Sequence, residues 1–322
     1  MQEMIIRRIN ELLKTGEFDR VLGWETGEFF YDRTPKVFGK ENLEQLKYDD
    51  FCGSNLSKYL IEQMKTSGKI IALMKPCDCY SLNQLCTERR VDRDRVYAIG
   101  VGCRGKIDVE KMRKAGIKGI TAIEEKDGEL IVQTLYGEKK IARKDALLDK
   151  CLSCKGKTHI GVDEVIGESE ETTVGDKFDA VAKLEAMSEE ERFEFWRNEL
   201  SKCIRCNACR NVCPACSCVK CIFDNPNTGV AAKASADDFE ENMFHIIRAY
   251  HVAGRCTDCG ECSRVCPQGI PLHLLNRKVI KDIDLFYGDY QAGESIGQRH
   301  PLIDFTLDDA EAGVDAAKGG KK

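Results

Sequence analysis

A chain of 322 residues with a net charge of −5, 32% charged and 42% apolar, has the composition of a folded protein of about two domains. It carries no basic patch interleaved with aromatics, which argues against nucleic acid, and no apolar run that approaches a membrane span or a signal-peptide core. Eighteen cysteines without an export signal, twin-arginine type included, point to metal ligation in a reducing compartment, the cytoplasm of an anaerobe or of a cell that protects such centres.

In chain order, residues 1–16 predict an amphipathic helix through Ile5, Ile6, Ile9, Leu12 and Leu13, and 17–40 a hairpin or irregular strand with turns at Thr26-Gly27 and Thr34-Pro35. A helix over 55–66 is followed by an apolar strand over 69–74 that ends in Lys75-Pro76-Cys77-Asp78-Cys79. A helix over 80–90 leads to a second strand, 95–101, ending in Gly102-Cys103-Arg104-Gly105; a helix over 108–115 and a third strand over 119–123 complete the alternation. Strands alternating with helices imply a mostly parallel sheet with right-handed crossovers. Residues 129–141 predict a hairpin at Tyr136-Gly137, and Cys151-Leu152-Ser153-Cys154 follows a short helix.

Ligands of open parallel sheets gather at the carboxyl ends of the strands. Cys77 and Cys103 stand at two such ends, and Cys151 with Cys154 would fold back to complete a four-thiolate site, with Cys79 as the rival to Cys77. The alternatives are a zinc site or small buried thiols.

The acidic stretch 160–175 reads as a linker, and Ser188 with Glu191 as a capping box that opens the helix leading to Cys203. Next comes Cys203-x-x-Cys206-x-x-Cys209-x-x-x-Cys213-Pro214, repeated as Cys256-x-x-Cys259-x-x-Cys262-x-x-x-Cys266-Pro267. Three stepped thiolates wrap one 4Fe-4S cubane, and the fourth cysteine of such a run ligates the other cluster. This pairs Cys203, Cys206 and Cys209 with Cys266, and Cys256, Cys259 and Cys262 with Cys213. Zinc favours two separated C-x-x-C pairs instead. The spacer predicts a helix over 237–253 with Phe239, Met243, Ile246, Ile247 and Tyr250 on its apolar stripe, hence an α-helical ferredoxin domain. Cys216, Cys218 and Cys221 form a further group of thiols, candidates for an extra cluster or a zinc with a partner such as Cys52, or packing thiols beside the second cubane; Cys79 is a further possible metal residue. A helix follows from Pro271 to about residue 287, and 306–322 reads as a disordered tail. The expected organisation is an α/β domain over 1–160, linker and helices over 161–200, an α-helical dicluster ferredoxin domain over 201–290, and a tail over 291–322.

Lys75-Pro76-Cys77-Asp78, Gly102-Cys103-x-Gly105 and Cys151-x-x-Cys154 resemble the beta subunits of deazaflavin-reducing hydrogenase and formate dehydrogenase. Pro76-Cys77-Asp78 with Cys213-Pro214-x-Cys216-x-Cys218 is similar to iron–sulfur subunits of soluble hydrogenases and of anaerobic sulfite reductase. The resemblance covers about residues 50–270. It implies an electron-transfer subunit of a multi-subunit anaerobic oxidoreductase rather than an independent catalyst, with catalytic and carrier subunits as partners. It also implies FAD as a further cofactor, and, as the alternative function, a flavin-bearing subunit that reduces a deazaflavin or nicotinamide. The chain departs from that family in placing its dicluster module C-terminally and in lacking a G-x-G-x-x-G fingerprint.

Overall fold

The computed structural model describes residues 1–225 and 238–303, with 238–241 as backbone alone. Helix α1 (Gln2–Lys14) buries Ile5, Ile9, Leu12 and Leu13, one face of a 3.6-residue period. Strands β1 (Phe18–Thr26) and β2 (Arg33–Phe38) form the expected hairpin, in register Val21 to Phe38. Helix α2 (Ser57–Gln63), strand β3 (Lys69–Met74), helix α3 (Pro76–Thr87) and strand β4 (Val96–Val101) follow. Then come α4 (Val109–Lys114), β5 (Ile120–Lys126), β6 (Glu129–Thr134), β7 (Gly137–Ala142), α5 (Asp149–Leu152) and β8 (Glu164–Ile166). Among the described residues the main sheet has the order β2-β1-β3-β4-β8, parallel throughout except for the β1–β2 hairpin. Strands β3 and β4 are buried almost end to end, as strands covered on both faces must be.

The third strand departs from expectation. Strand β5 lies outside the parallel sheet and forms a separate antiparallel sheet with β6 and β7. Its second half, Glu124-Glu125-Lys126, is exposed, and so charged an edge suits a small one-sided sheet and not a doubly covered one. The place in the main sheet goes to β8, three residues inside the stretch expected to be a linker. That stretch is tied to the strand ends: Gly102 N–H donates to Ile166 O, and Cys103 N–H donates to Ser169 Oγ. Gly102 admits no side chain, since a Cβ there would lie 2.3 Å from Glu168 O. Helix α3 also begins four residues before its expected start, because Asp78 accepts from Lys75 N–H at 2.9 Å and Pro76 fits the first helical turn.

The C-terminal part is helical: α6 (Asp179–Glu185), α7 (Glu189–Leu200), α8 (Ala208–Asn211), α9 (Asp238–His251), α10 (Glu261–Arg264) and α11 (His273–Tyr287). The Ser188–Glu191 capping box opens α7 as read from the sequence. The buried face of α9 is a correction. Phe244, His245, Arg248, Ala249 and Val252 turn inward, while Met243, Ile246 and Tyr250 are exposed. Apolar periodicity misassigns this face because the interior it meets is lined with thiols rather than aliphatic side chains. Phe239 and the tail over 306–322 lie outside the described residues. Residues 291–303 run back over α3, where Asn83 Nδ2 donates to Gly293 O and Gly297 N–H donates to Thr87 Oγ1. No helix among the described residues is long and apolar enough to cross a membrane.

Candidate metal centres

The carboxyl ends of β3 and β4 bring Cys77 and Cys103 to one edge of the sheet. There they line a single cavity with Cys151 and Cys154. Cys77 sits on the first turn of α3, and Cys151 on α5 beside Cys154 in the loop that follows. The Cys151-to-Cys154 loop is held from the β8 side, by Thr172 Oγ1 to Cys151 O and Thr173 Oγ1 to Cys154 O. Cys79 is not part of this cavity. It is fully buried one face away, its thiol donating to Lys75 O at 3.3 Å. Cys52 lies in the core of the same domain, accepting from Asp49 N–H, and is no partner of the Cys216, Cys218, Cys221 group.

Five lysines line the cavity, and three of them, Lys75, Lys106 and Lys150, are held in place by hydrogen bonds and ion pairs. Lys75 is fully buried against Asp78 at 2.8 Å, donates to Ser54 O, and lies 4.3 Å from the centre of the Trp24 ring. Lys106 donates to the Tyr48 hydroxyl and to Asp49 O, and its N–H reaches Cys151 Sγ. Lys150 donates to Gly53 O and to Glu261. Buried ammonium groups are costly away from anions. A thiolate-bound iron–sulfur cluster is net anionic, so the cavity has the charge such a group needs. Trp24 is a core residue beneath Lys75.

The two stepped runs fold alike. Arg205 and Asn207 flank Cys206 with φ of 53° and 60°, and Asp258 and Gly260 flank Cys259 with 52° and 67°. A single short helix follows each, α8 and α10. These left-handed residues bend each loop around one centre, which is the wrapping three stepped thiolates need. Cys203, Cys206 and Cys209 line a cavity of about 330 Å³ together with Cys266. Cys213 packs against Cys256 and lies within electrostatic reach of Cys259 and Cys262. The fourth cysteine of each run is therefore next to the other run. Among the described residues no three Cys, His, Asp or Glu side chains converge on one ion-sized point. In a cubane each thiolate binds its own corner iron, so the ligands ring a space instead.

Arg248 lies between the two runs. Its guanidinium nitrogens are buried without a hydrogen bond of ordinary geometry, and its charge faces Cys262, Cys209, Cys213 and Cys216. This buried cation, like the lysines, fits anionic clusters on either side. His245 lines the first run's cavity with both ring nitrogens buried and unbonded; burial, with Arg248 and Arg205 nearby, pulls its imidazole down to about 3, so it stays neutral. Burial pushes the thiols of Cys77, Cys151, Cys256, Cys259 and Cys262 above the usual thiol range, so metal loading must release protons there.

In the sequence Arg205, Arg210 and Arg264 stand beside the cysteines of the two runs. The structure pairs Arg210 with Asp224 and Arg264 with Glu261, and sets Arg205 over the Phe244 ring. Arg248, the three lysines and Glu261 were missed. The one signal for Arg248 was a charge on an otherwise apolar helix face. Glu261 is wholly buried and accepts from Arg264 Nε, Arg264 Nη2 and Asn55 N–H, and from Lys150. Burial acts to raise its carboxyl, but Arg264 and Lys150 outweigh that and hold it far below the usual range. It locks the second run against the N-terminal domain, so that Cys259 and Asp258 form part of the wall of the Cys77 cavity.

The 4Fe-4S dicluster domain family matches residues 199–270. The chain is 25% identical to F420-dependent formate dehydrogenase subunit beta of Methanocaldococcus jannaschii, over 82% of this chain and 84% of that protein. It is 27% identical to F420-dependent formate dehydrogenase 1 subunit beta of Methanococcus maripaludis, over 75% of this chain and 78% of that protein. A chain of the F420-reducing NiFe hydrogenase complex from Methanosarcina barkeri aligns over 60% of this chain and 83% of its own, with 13% identity and a TM-score of 0.37. Residues 199–270 thus carry a 4Fe-4S dicluster domain, and over most of its length the chain is similar to the beta subunits of F420-dependent formate dehydrogenases.

Proposed function

We propose that the chain passes electrons through three 4Fe-4S clusters set in a row. Cys77, Cys103, Cys151 and Cys154 hold the first. Cys256, Cys259 and Cys262 with Cys213 hold the second, and Cys203, Cys206 and Cys209 with Cys266 the third. The observation that carries this reading is the shared wall: Cys259, a ligand of the middle cluster, lines the same cavity as the four N-terminal thiols. Clusters that share a wall exchange electrons readily, and the protein's part is to fix their spacing, burial and charge. The relatives are named as subunits of formate dehydrogenases. By that likeness one end of the row takes electrons from a partner catalytic subunit and the other delivers them to a carrier or a further subunit, in the cytoplasm. All eighteen cysteines are free, in keeping with a reducing compartment. The test is composition and turnover together. Anaerobically purified protein should hold at least about twelve iron and about as many sulfide per chain, about four per cluster. Its visible absorbance should bleach with dithionite and recover on adding an oxidised carrier. Tightly bound zinc without sulfide would overturn the reading, and a flavin absorbance peak would favour the flavin-bearing alternative, in which FAD is a further carrier.

Two substitutions probe the row. Cys213→Ser should alter the spectrum of the cluster held by Cys256, Cys259 and Cys262; a change confined to the cluster of its own run would contradict the crossed pairing. Arg248→Met removes a buried positive charge facing both dicluster centres, which disfavours adding an electron. Reduction potentials of these two clusters should fall by roughly 50–100 mV, since a unit charge at about 8 Å is worth about 2 kcal/mol at an effective dielectric of ~20. Redox titration followed by electron paramagnetic resonance reads this, and unchanged potentials would place Arg248 away from both clusters.

A further inference from the structure

Cys216, Cys218 and Cys221 are used by none of the three clusters. They line a separate pocket with Lys58, Arg210, Arg248, Arg255 and His251. The loop that carries them is clamped from outside. Lys58 donates to Cys216 O, Arg255 Nη2 donates to Ala215 O at 3.0 Å, and Ser217 Oγ donates to Glu88 Oε2 at 3.0 Å. Glu88 in turn takes two bonds from Arg255, at 2.8 and 2.7 Å. A loop fixed at three successive residues by the ends of α2, α3 and α9 presents its thiols in one arrangement. The tip of the loop, Cys218 to Lys220, is exposed, Val219 at 90%. The three thiols therefore face a ring of cations across an open space, the same combination of thiols and buried or half-buried positive charge that marks the N-terminal cavity. Cys216 also adjoins Cys213, a ligand of the middle cluster.

We propose that this pocket holds a fourth 4Fe-4S cluster, bound by Cys216, Cys218 and Cys221, with its fourth corner iron carrying a non-thiolate ligand on the side of His251 and solvent. Cys52 and Cys79 take no part, since both are enclosed in the core of the N-terminal domain. The proposal rests on the reading of the chain as a row of clusters and extends that row to the surface, beside the middle cluster. A corner iron without a thiolate is the labile one. One-electron oxidation by ferricyanide should convert this cluster alone from 4Fe-4S to 3Fe-4S, releasing one ferrous ion and leaving ferrocyanide.

The test compares the full chain with its Cys218→Ala/Cys221→Ala variant, both purified anaerobically. Neither thiol is among the ligands assigned to the middle cluster, so that cluster should be spared. The wild type should hold about sixteen iron per chain and the variant about twelve. Ferricyanide should release about one iron from the wild type and none from the variant. Cys79→Ala, the buried control, should leave the iron content unchanged. A wild-type content of about twelve, whatever the variant does, would overturn the fourth cluster and leave the row of three intact. A wild-type content of about eight would overturn the row itself. Loss of one zinc per chain in the variant, in place of iron, would overturn the cluster in favour of a zinc site.

Discussion

Replacing Cys154 by alanine in the full chain is expected to remove about four iron per chain and to stop electron delivery through the N-terminal end, while the dicluster domain stays loaded. Cys154, like Cys77, is half-buried, and it sits in a loop, not in the sheet. Its loss opens no cavity in the core packed between α1, α2, α3 and the main sheet, so the fold should survive. Dithionite, a small reductant, should still bleach the remaining clusters. A partner that enters at the N-terminal cluster should no longer do so at a useful rate. Iron analysis and stopped-flow reduction separate the two effects. A variant that keeps its full iron content would return Cys77, Cys103, Cys151 and Cys154 to the status of packing thiols. Cys79→Ala is the control, a buried thiol on α3 that does not line the cavity.

The second large effect concerns Glu261. Its carboxylate joins Lys150, which borders the N-terminal cavity, to Arg264 and to the Asn55 N–H. Glu261→Ala leaves two cations near the interface without their counter-ion, and removing one partner of a buried ion pair costs about 3–5 kcal/mol. Gly260 next to it has φ of +67°, and a Cβ there would lie 2.5 Å from Lys150 Cβ, so the chain has little room to rearrange around the loss. The midpoint of chemical unfolding should drop accordingly. Glu261→Gln, which keeps the shape and part of the hydrogen bonding, should cost less. If the two domains were held together chiefly by Arg277–Ser153 and Glu88–Arg255 instead, Glu261→Ala would move the midpoint by less than about 1 kcal/mol.

Much of this site is legible in the sequence because cluster ligands come in spaced runs. The two stepped motifs announce both loops, and the backbone repeats the same left-handed pair around Cys206 and Cys259. The strand-end thiols could be placed because apolar runs such as Lys69–Met74 and Val96–Val101 have no other reading in a doubly covered sheet. What the sequence hid was long-range. Strand β8 is three residues in an acidic stretch, too short for any periodicity to register. Strand β5 has the composition of a sheet strand but not the two-sided burial. On α9, His245 and Arg248 face inward toward cysteine side chains, a surrounding no apolar pattern encodes. The contact that matters most, Cys259 on the wall of the Cys77 cavity, joins residues from different domains and follows from Lys150–Glu261, a pairing visible only in three dimensions.

The direct test of the central claim is low-temperature electron paramagnetic resonance of the full chain, reduced with dithionite, beside the Cys154→Ala variant. Clusters that share a wall carry spins close enough to interact. The wild type should give broadened or split signals that relax fast, and the variant should lose the part of that coupling which comes from the N-terminal cluster while the dicluster pair stays coupled. A wild-type spectrum that is a plain sum of isolated clusters, or one that Cys154→Ala leaves unchanged, would contradict a continuous row through Cys259.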